Sequence, residues 1–274
     1  MGFVYLFKRK CVIMINNKRK TALIILISIL LIIAIILSVI IWKNLNAGEL
    51  KSDDYKISSG EINITVSNPN HDQSVELVEN PINFNKLEEQ NEDIYAWITV
   101  PNTKIDYPVL QSYAEDDLFY VDHNINKKKA AAGALFTQKL NQKDFSDPNT
   151  IIYGHNMKNG TMFRHLHKFK KEKFFNENEF FYIYTRGHIY TYRIFAAYEY
   201  DDRHILNSFN FHDKDVYAEY LEYAQNPNSI YKNTREVNIT TDDKIVTLST
   251  CLATNKPNNR YLVQGVLIKD ELTY

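Results

Sequence analysis

The sequence predicts a mainly β domain, a closed barrel of about eight strands, preceded in the chain by one transmembrane helix. An uncharged apolar run near the N-terminus predicts the transmembrane helix. Beyond it, short apolar or alternating segments separated by turn-forming residues predict the strands. Closure into a barrel is expected because it removes exposed strand edges. Aromatic residues make up 13% of the chain, which suits a sheet because such side chains pack well on a pleated surface.

The transmembrane helix is predicted from Ala22 to Trp42, a stretch long enough to span a hydrocarbon core about 30 Å thick. Lysines and arginines cluster before it, between Lys8 and Lys20, and acidic residues return after it. The positive-inside rule therefore predicts that residues 1–21 are cytoplasmic and that the chain beyond the helix is extracellular. A cleaved signal peptide is the alternative. The apolar run exceeds a typical signal-peptide core, and the nearest cleavage candidate is Asn46-Ala47-Gly48.

The extracellular part divides by composition into a stalk and a domain. Residues 43–80 are polar and rich in Asn, Ser, Asp and Glu, which predicts a stalk that holds the domain off the membrane. Apolar and polar residues alternate at 62–66, so these residues could still form a strand within the stalk. Residues 81–274 are predicted to form the folded domain.

The domain is predicted to begin with a helix after Pro81, capped by Asn83 or Asn85. A second helix is predicted from Asp213 to Ala224, inserted between the late strands and ended before Pro227. The strands are expected at 97–100, 104–110, 132–137, 150–153, 180–185, 188–200, 244–250 and 260–268.

Composition argues against several classes of partner. The formal net charge of −1 provides no basic surplus for a phosphate backbone, so no nucleic acid partner is expected. Cysteine and histidine do not cluster with zinc spacing, and His165 and His167 lie two residues apart on a predicted short helix, where they diverge. We therefore expect no metal and no cofactor.

The candidate nucleophile is Cys251. The chain has 2 cysteines, and the predicted topology puts Cys11 and Cys251 on opposite sides of the membrane, where they cannot pair. An unpaired cysteine in an exported domain is a candidate reactive thiol. Cys251 ends the strand-like run Ile245–Thr250, and Leu252–Asn259 is expected to be a non-strand segment. A small buried hydrophobic residue is the alternative interpretation.

Two further residues can cooperate with this thiol. Arg260 opens the next strand, so a hairpin would return its guanidinium toward Cys251, where it could lower the thiol pKa or stabilise an oxyanion. An ordinary solvated arginine is the alternative. A thiol nucleophile also needs a proton-transfer partner, and His155 stands out among 8 histidines because it follows the strand Thr150–Tyr153 and Gly154. Neither segment contains an acidic residue to assist it, and Asp106 could do so only through the fold.

Several segments resemble one known family. TLSTC at Thr247–Cys251 with Arg260 beyond it is similar to the TLxTC…R signature of sortases, and NTIIYGHNM at Asn149–Met157 is similar to their histidine motif. WITVPNTKIDYPVLQ at Trp97–Gln111 resembles the early strands of class B sortases. The likeness runs in order over residues 84–268, and a helical insertion at about 207–232 resembles that of class B. The resemblance implies a sortase-type eight-stranded barrel.

The resemblance also implies an activity, that of a cysteine transpeptidase at the surface of a Gram-positive cell. Cys251 would be the nucleophile, His155 the general acid and base, and Arg260 the residue that holds substrate and oxyanion. The thiolate would cleave the sorting-signal peptide of a surface protein after Thr, and an amine of the peptidoglycan precursor would resolve the thioacyl enzyme. Further residues beside these motifs are expected to bind substrate: Tyr153, Asn156, Ser249 and Thr250.

Two alternatives remain open from the sequence. A pilus-type sortase would keep the fold and use a lysine of another pilin subunit as the amine. A membrane-tethered binding module would keep Cys251 as a structural residue without catalysis.

Overall fold

A computed structural model describes residues 21, 23–41, 52–57, 64–67, 74–253 and 256–274. Helix α1 (Leu23–Ile41) has 19 residues and a mean hydropathy of 3.6, so its length and composition are sufficient to cross a membrane. By its internal contacts it belongs to a unit at residues 1–49, separate from the unit at residues 50–274. The predicted cytoplasmic segment lies almost wholly outside the described residues, as does much of the predicted stalk.

The second unit is a closed, mixed β-barrel. Its strands are β3 (Ile94–Val100), β4 (Ile105–Leu110), β5 (Leu135–Phe136), β6 (Asn149–Tyr153), β7 (Phe180–Thr185), β8 (His188–Asp201), β9 (Lys232–Thr234), β10 (Ile245–Ala253) and β11 (Lys256–Leu272). Eight of them follow one another around the ring in the order β11, β10, β6, β5, β4, β3, β7 and β8, and pairing of β8 with β11 closes the ring. The β6–β10 and β4–β5 pairs are parallel, and the others around the ring are antiparallel. Strand β9 is short and is added to β8 outside the ring.

This ring confirms the predicted eight-stranded barrel. The remaining elements decorate it, and β1 pairs with β2 in a separate two-stranded sheet. Asn83 caps α2 as expected, because its side chain accepts a hydrogen bond from the Lys86 amide at 3.0 Å. Helices α4 and α5 form the predicted insertion between β8 and β10. These elements are β1 (Ile64–Ser67), β2 (Ser74–Leu77), α2 (Phe84–Gln90), α3 (Glu172–Glu177), α4 (Ile205–Ser208), α5 (Lys214–Gln225) and the 3₁₀ helices Ser52–Tyr55, Phe119–Val121 and Phe163–Lys170.

The hairpin of β10 and β11 is longer than the sequence predicted. The sequence predicts a non-strand segment over Leu252–Asn259, and that prediction is wrong at 252–253 and 256–259, which belong to strands, while 254–255 lie outside the described residues. Cys251 pairs with Arg260 and Ala253 pairs with Lys256, with a register shift between the two pairs. Pairing therefore continues past the thiol through a bulge.

Apolar side chains fill the barrel and attach the insertion to it. Helix α5 buries Tyr217, Tyr220, Leu221 and Ala224 in a cluster that includes β8 and β11 side chains such as Tyr198. Burial of each large apolar side chain contributes about 1.5–3 kcal/mol. This cluster attaches the insertion to strands β8 and β11.

One part of the predicted stalk contacts the domain. The ring of Tyr55 is buried with its centroid 6.3 Å from that of Trp97, and Lys56 Nζ lies 2.6 Å from an Asp106 carboxylate oxygen. The segment 52–57 therefore packs against strands β3 and β4.

Candidate active site

Strand pairing brings the ends of β6 and β10 together. The two strands are parallel neighbours, with Tyr153 opposite Ser249, and the Gly154 amide donates to the Ser249 carbonyl at 3.1 Å. A Cβ atom on Gly154 would lie 2.3 Å from Leu135 Cδ2 and 2.7 Å from Phe163 Cδ2, so a larger residue would displace these side chains where the chain leaves β6. His155 and Cys251 therefore lie at the same rim of the barrel.

Arg260 reaches the same rim from the next strand. It is the cross-strand partner of Cys251 on β10 and of Tyr200 on β8. The Cys251 thiol is free and half-buried, and Arg260 is half-buried as well. The hairpin predicted to return the arginine toward the thiol is therefore present.

A groove of about 260 Å³ contains all three predicted catalytic residues in its wall. Tyr153, Ser249 and Thr250, predicted to bind substrate, line it as well. Its other walls come from loops and from the start of the insertion: Leu118, Val121, Phe136, Gln138, Gly154, Tyr200, Asp202, Arg203, His204 and Ile205.

The ring of His155 is held by a backbone carbonyl. Its Nε2 lies 2.7 Å from the Val121 carbonyl oxygen, which can only accept a hydrogen bond. Nε2 therefore carries hydrogen, and Nδ1 is left as the nitrogen that can take up a proton. Asp106 does not line the groove, because its carboxylate bonds Lys56, the Trp97 indole and Thr99.

Four of the residues that line the groove carry hydroxyl groups, Tyr153, Tyr200, Ser249 and Thr250. The hydroxyls of Thr250 and Tyr200 are buried and bond no other described residue. Burial raises the pKa of Tyr153, so its hydroxyl stays a neutral donor at physiological pH.

The groove wall formed by the loop after β8 was not anticipated from the sequence. Arg203 bonds the Asp201 carboxylate at 2.8 Å, and its guanidinium carbon lies 5.3 Å from the centroid of the Tyr200 ring. His204 Nε2 lies 2.7 Å from the Gln138 side-chain oxygen. The local sequence carries no motif for these contacts, and the contact between His204 and Gln138 depends on where the insertion leaves the barrel.

Asn156 contacts the backbone of the nucleophile and does not line the groove. Its amide nitrogen donates to the Cys251 carbonyl at 3.0 Å and lies 3.3 Å from the Leu252 carbonyl. Its predicted role in substrate binding stays a prediction. His167, considered in the sequence only as a poor metal ligand, lies with Nε2 3.1 Å from the same Cys251 carbonyl. Among the described residues, no group of three or more His, Cys, Asp or Glu side chains could hold a metal ion.

Comparison with known proteins agrees with this geometry. A family model described as the sortase domain matches residues 98–268. Sortase B of Listeria monocytogenes is 36% identical over 183 residues, which cover 66% of this chain and 72% of that protein. A solved structure of Clostridium perfringens sortase B is 34% identical with a TM-score of 0.61, covering 68% of this chain and 100% of that chain. A structure of Staphylococcus aureus sortase B is 29% identical with a TM-score of 0.61, covering 70% of this chain and 88% of that chain.

The matched residues include every strand of the ring in whole or in part, together with the groove. The relatives share sequence as well as fold, since identities of 29–36% accompany the structural likeness. The chain therefore belongs to the sortase family, and within it to the class B sortases, which are cysteine transpeptidases.

Proposed function

We propose that this sortase cleaves a C-terminal sorting signal of surface proteins after Thr and transfers the protein to an amine of the peptidoglycan cell wall. One observation carries the proposal, the presence of Cys251, His155 and Arg260 in the wall of one groove at the rim of the barrel. The thiol can act as the nucleophile, the imidazole as the acid and base, and the guanidinium as the group that stabilises an oxyanion.

In the first step the Cys251 thiolate attacks the carbonyl carbon of the Thr residue. The peptide C–N bond breaks, the leaving amine takes a proton from His155, and a thioester to Cys251 remains. Arg260 donates hydrogen bonds to the carbonyl oxygen, which gains negative charge in the tetrahedral intermediate. The cross-strand pairing of Arg260 with Cys251 supports this role, because it fixes the two backbones side by side.

In the second step an amine attacks the thioester and loses its proton to His155. The C–S bond breaks, a new amide forms, and the thiolate returns. Support comes from two solved structures of relatives, a sortase B–substrate complex from S. aureus and a sortase B complexed with triglycine. Triglycine is a peptide with a free amine at its end, and we propose a similar amine as the acceptor for this chain.

Groove residues next to the nucleophile contact the sorting peptide in this proposal. Tyr153, Ser249 and Thr250 line the groove beside Cys251. Of these three residues, Ser249 and Thr250 are buried, so their contact with the peptide is expected at the few atoms that border the groove.

Membrane attachment through α1 fits the same reaction. We propose that the N-terminus is cytoplasmic, because lysines and arginines precede the helix, and that the catalytic domain is extracellular. Both substrates, a secreted surface protein and the wall precursor, are then on the side of the membrane that holds the groove.

A peptide assay tests the proposal. The full chain in detergent is incubated with internally quenched sorting peptides that contain Thr at the cleaved bond, with and without triglycine. We expect cleavage after Thr and a product joined to triglycine, both abolished by Cys251→Ala. Cleavage by Cys251→Ala, or a wild-type chain that joins these peptides only to a pilin lysine, would overturn the proposed function.

A further inference from the structure

Strand β10, which carries the nucleophile, is irregular just beyond Cys251. A register shift separates Cys251 from Ala253 in the pairing of β10 with β11. Leu252 is only 7% exposed, so its peptide group lies largely out of water. Buried carbonyls need hydrogen-bond donors, and a bulge cannot obtain all of them from the neighbouring strand.

Two side chains from outside the hairpin supply these donors. Asn156 Nδ2 lies 3.0 Å from the Cys251 carbonyl oxygen, and His167 Nε2 lies 3.1 Å from the same oxygen. Since a carbonyl oxygen has two lone pairs, it can accept both bonds. The nucleophile's own peptide group is therefore held from two directions.

The orientation of Asn156 is fixed at its other end. Its side-chain oxygen accepts a hydrogen bond from Arg164 Nη1 at 2.9 Å, so the amide nitrogen faces the two carbonyls of the bulge. Asn156 directly follows His155 in the chain. The Asn156 side chain thus connects the segment after β6, where His155 lies, to the last residues of β10, where Cys251 lies.

The ring of His167 is fixed by stacking. Its centroid lies 5.1 Å from that of the buried Tyr261 ring, with 27° between the planes, and Tyr261 is the cross-strand partner of Thr250. Lys170 Nζ lies 5.1 Å from the Tyr261 centroid and 2.7 Å from a Glu199 carboxylate oxygen. His167 does not line the groove, so it has no direct path to substrate.

We propose that His167 is a positioning residue for transpeptidation, which acts by donating a hydrogen bond to the Cys251 carbonyl and so holds the thiol in line with the groove. This positioning role rests on the proposed function of the Cys251 thiol. Burial, with the nearby cations of Lys170 and Arg164, lowers the pKa of His167 to about 4. The imidazole is therefore neutral at physiological pH and keeps its single hydrogen on Nε2, which faces the carbonyl.

A matched pair of variants separates the hydrogen bond from the stacking. His167→Phe keeps a flat ring against Tyr261 and removes the donor, whereas His167→Gln removes the ring and keeps an N–H donor. We expect His167→Phe to lower kcat on the order of tenfold, because small displacements of a reacting group are costly, with KM within about twofold of wild type. His167→Gln should recover most of kcat. Equal kcat values in the two variants, or a loss of kcat that merely follows a lower Tm, would overturn the proposal.

A second measurement does not depend on any substrate. The rate at which a methanethiosulfonate reagent modifies Cys251 in the full chain is followed by mass spectrometry of the peptide that contains it, which distinguishes it from Cys11. We expect this rate to change in His167→Phe and to stay near that of wild type in His167→Gln. If wild type joins no peptide to an amine while these rates still differ, the proposed function fails and the positioning role stands. Identical rates in wild type and both variants would remove the positioning role.

Discussion

Cys251 and Arg260 are cross-strand partners in the antiparallel hairpin of β10 and β11, and Arg260 is also the partner of Tyr200 on β8. Directly opposed residues in antiparallel strands have Cα atoms about 4.5–5.5 Å apart. The backbone positions of thiol and guanidinium are therefore set by the barrel wall itself. The head group of Arg260 can consequently be changed without loss of the strand pairing.

Arg260→Lys should lower kcat/KM about 10²-fold, because lysine keeps the charge but offers no forked pair of donors to a carbonyl or an oxyanion. The measurement is kcat/KM with a quenched sorting peptide. Arg193→Lys is the matched control, since Arg193 lies on β8, bonds Glu179 at 3.0 Å and does not line the groove. A kcat/KM within about twofold of wild type for Arg260→Lys would remove Arg260 from the proposed mechanism.

The strands were predictable because their signal is local. Strand β7 has the predicted bounds, 180–185, since its alternation of side chains is clear and Arg186-Gly187 forms the turn. The sequence also predicts that Cys251, His155 and Arg260 meet, because all three lie at the ends or starts of predicted strands, and in the structure all three line one groove. Pairing beyond Cys251 was missed, since Pro257 and its neighbouring asparagines are typical of loops and only the register shows that the hairpin continues.

The contacts that hold the site depend on distant parts of the chain. His155 bonds a carbonyl 34 positions away, and His167 bonds one 84 positions away. A backbone carbonyl has no residue type, so no sequence pattern can reveal it as the partner of a histidine. These contacts follow only from the order of strands around the barrel.

Acid should destabilise the domain in part through His167. Its pKa in the folded chain is about 4, against about 6.5 in an unfolded chain. Between these values the unfolded chain binds a proton that the folded chain does not, so this contribution to stability is lost as the pH falls from about 6.5 to about 4. We expect the urea midpoint to fall less steeply over this window in His167→Gln than in wild type.

His188→Gln provides the control for that titration. It removes a histidine near the surface, which is paired with Asp270 at 2.7 Å. His165, whose pKa is also lowered by burial and nearby cations, is present in both variants. His188→Gln should retain the steep wild-type fall. The assignment to His167 is wrong if the two variants show the same dependence on pH.

Tyr217→Phe should loosen the insertion without changing the chemistry. The Tyr217 hydroxyl lies 2.8 Å from the Pro148 carbonyl and 2.9 Å from the Asp243 carbonyl, which join α5 to the starts of β6 and β10. Its removal should lower the free energy of unfolding by about 1–3 kcal/mol, measured by urea titration. Tyr223→Phe is the control, because Tyr223 is half-exposed and makes ring contacts with Tyr198 and Tyr200. Equal stability of the two variants would contradict the role assigned to these hydrogen bonds.

Gly133→Ala should reduce activity by disturbing the carbonyl that orients His155. Gly133 has φ +56°, and a Cβ there would lie 2.4 Å from the carbonyl oxygens of both Tyr120 and Val121. Gly187→Ala is the matched control, because Gly187 has φ +99° but open space around a Cβ, so it brings backbone strain alone. Both variants should lower Tm, and we expect kcat to fall on the order of tenfold only in Gly133→Ala, since the Val121 carbonyl must move. If Gly133→Ala retains wild-type kcat at a temperature where it is folded, the Val121 carbonyl does not control the acid and base, and the tautomer of His155 is set by another group.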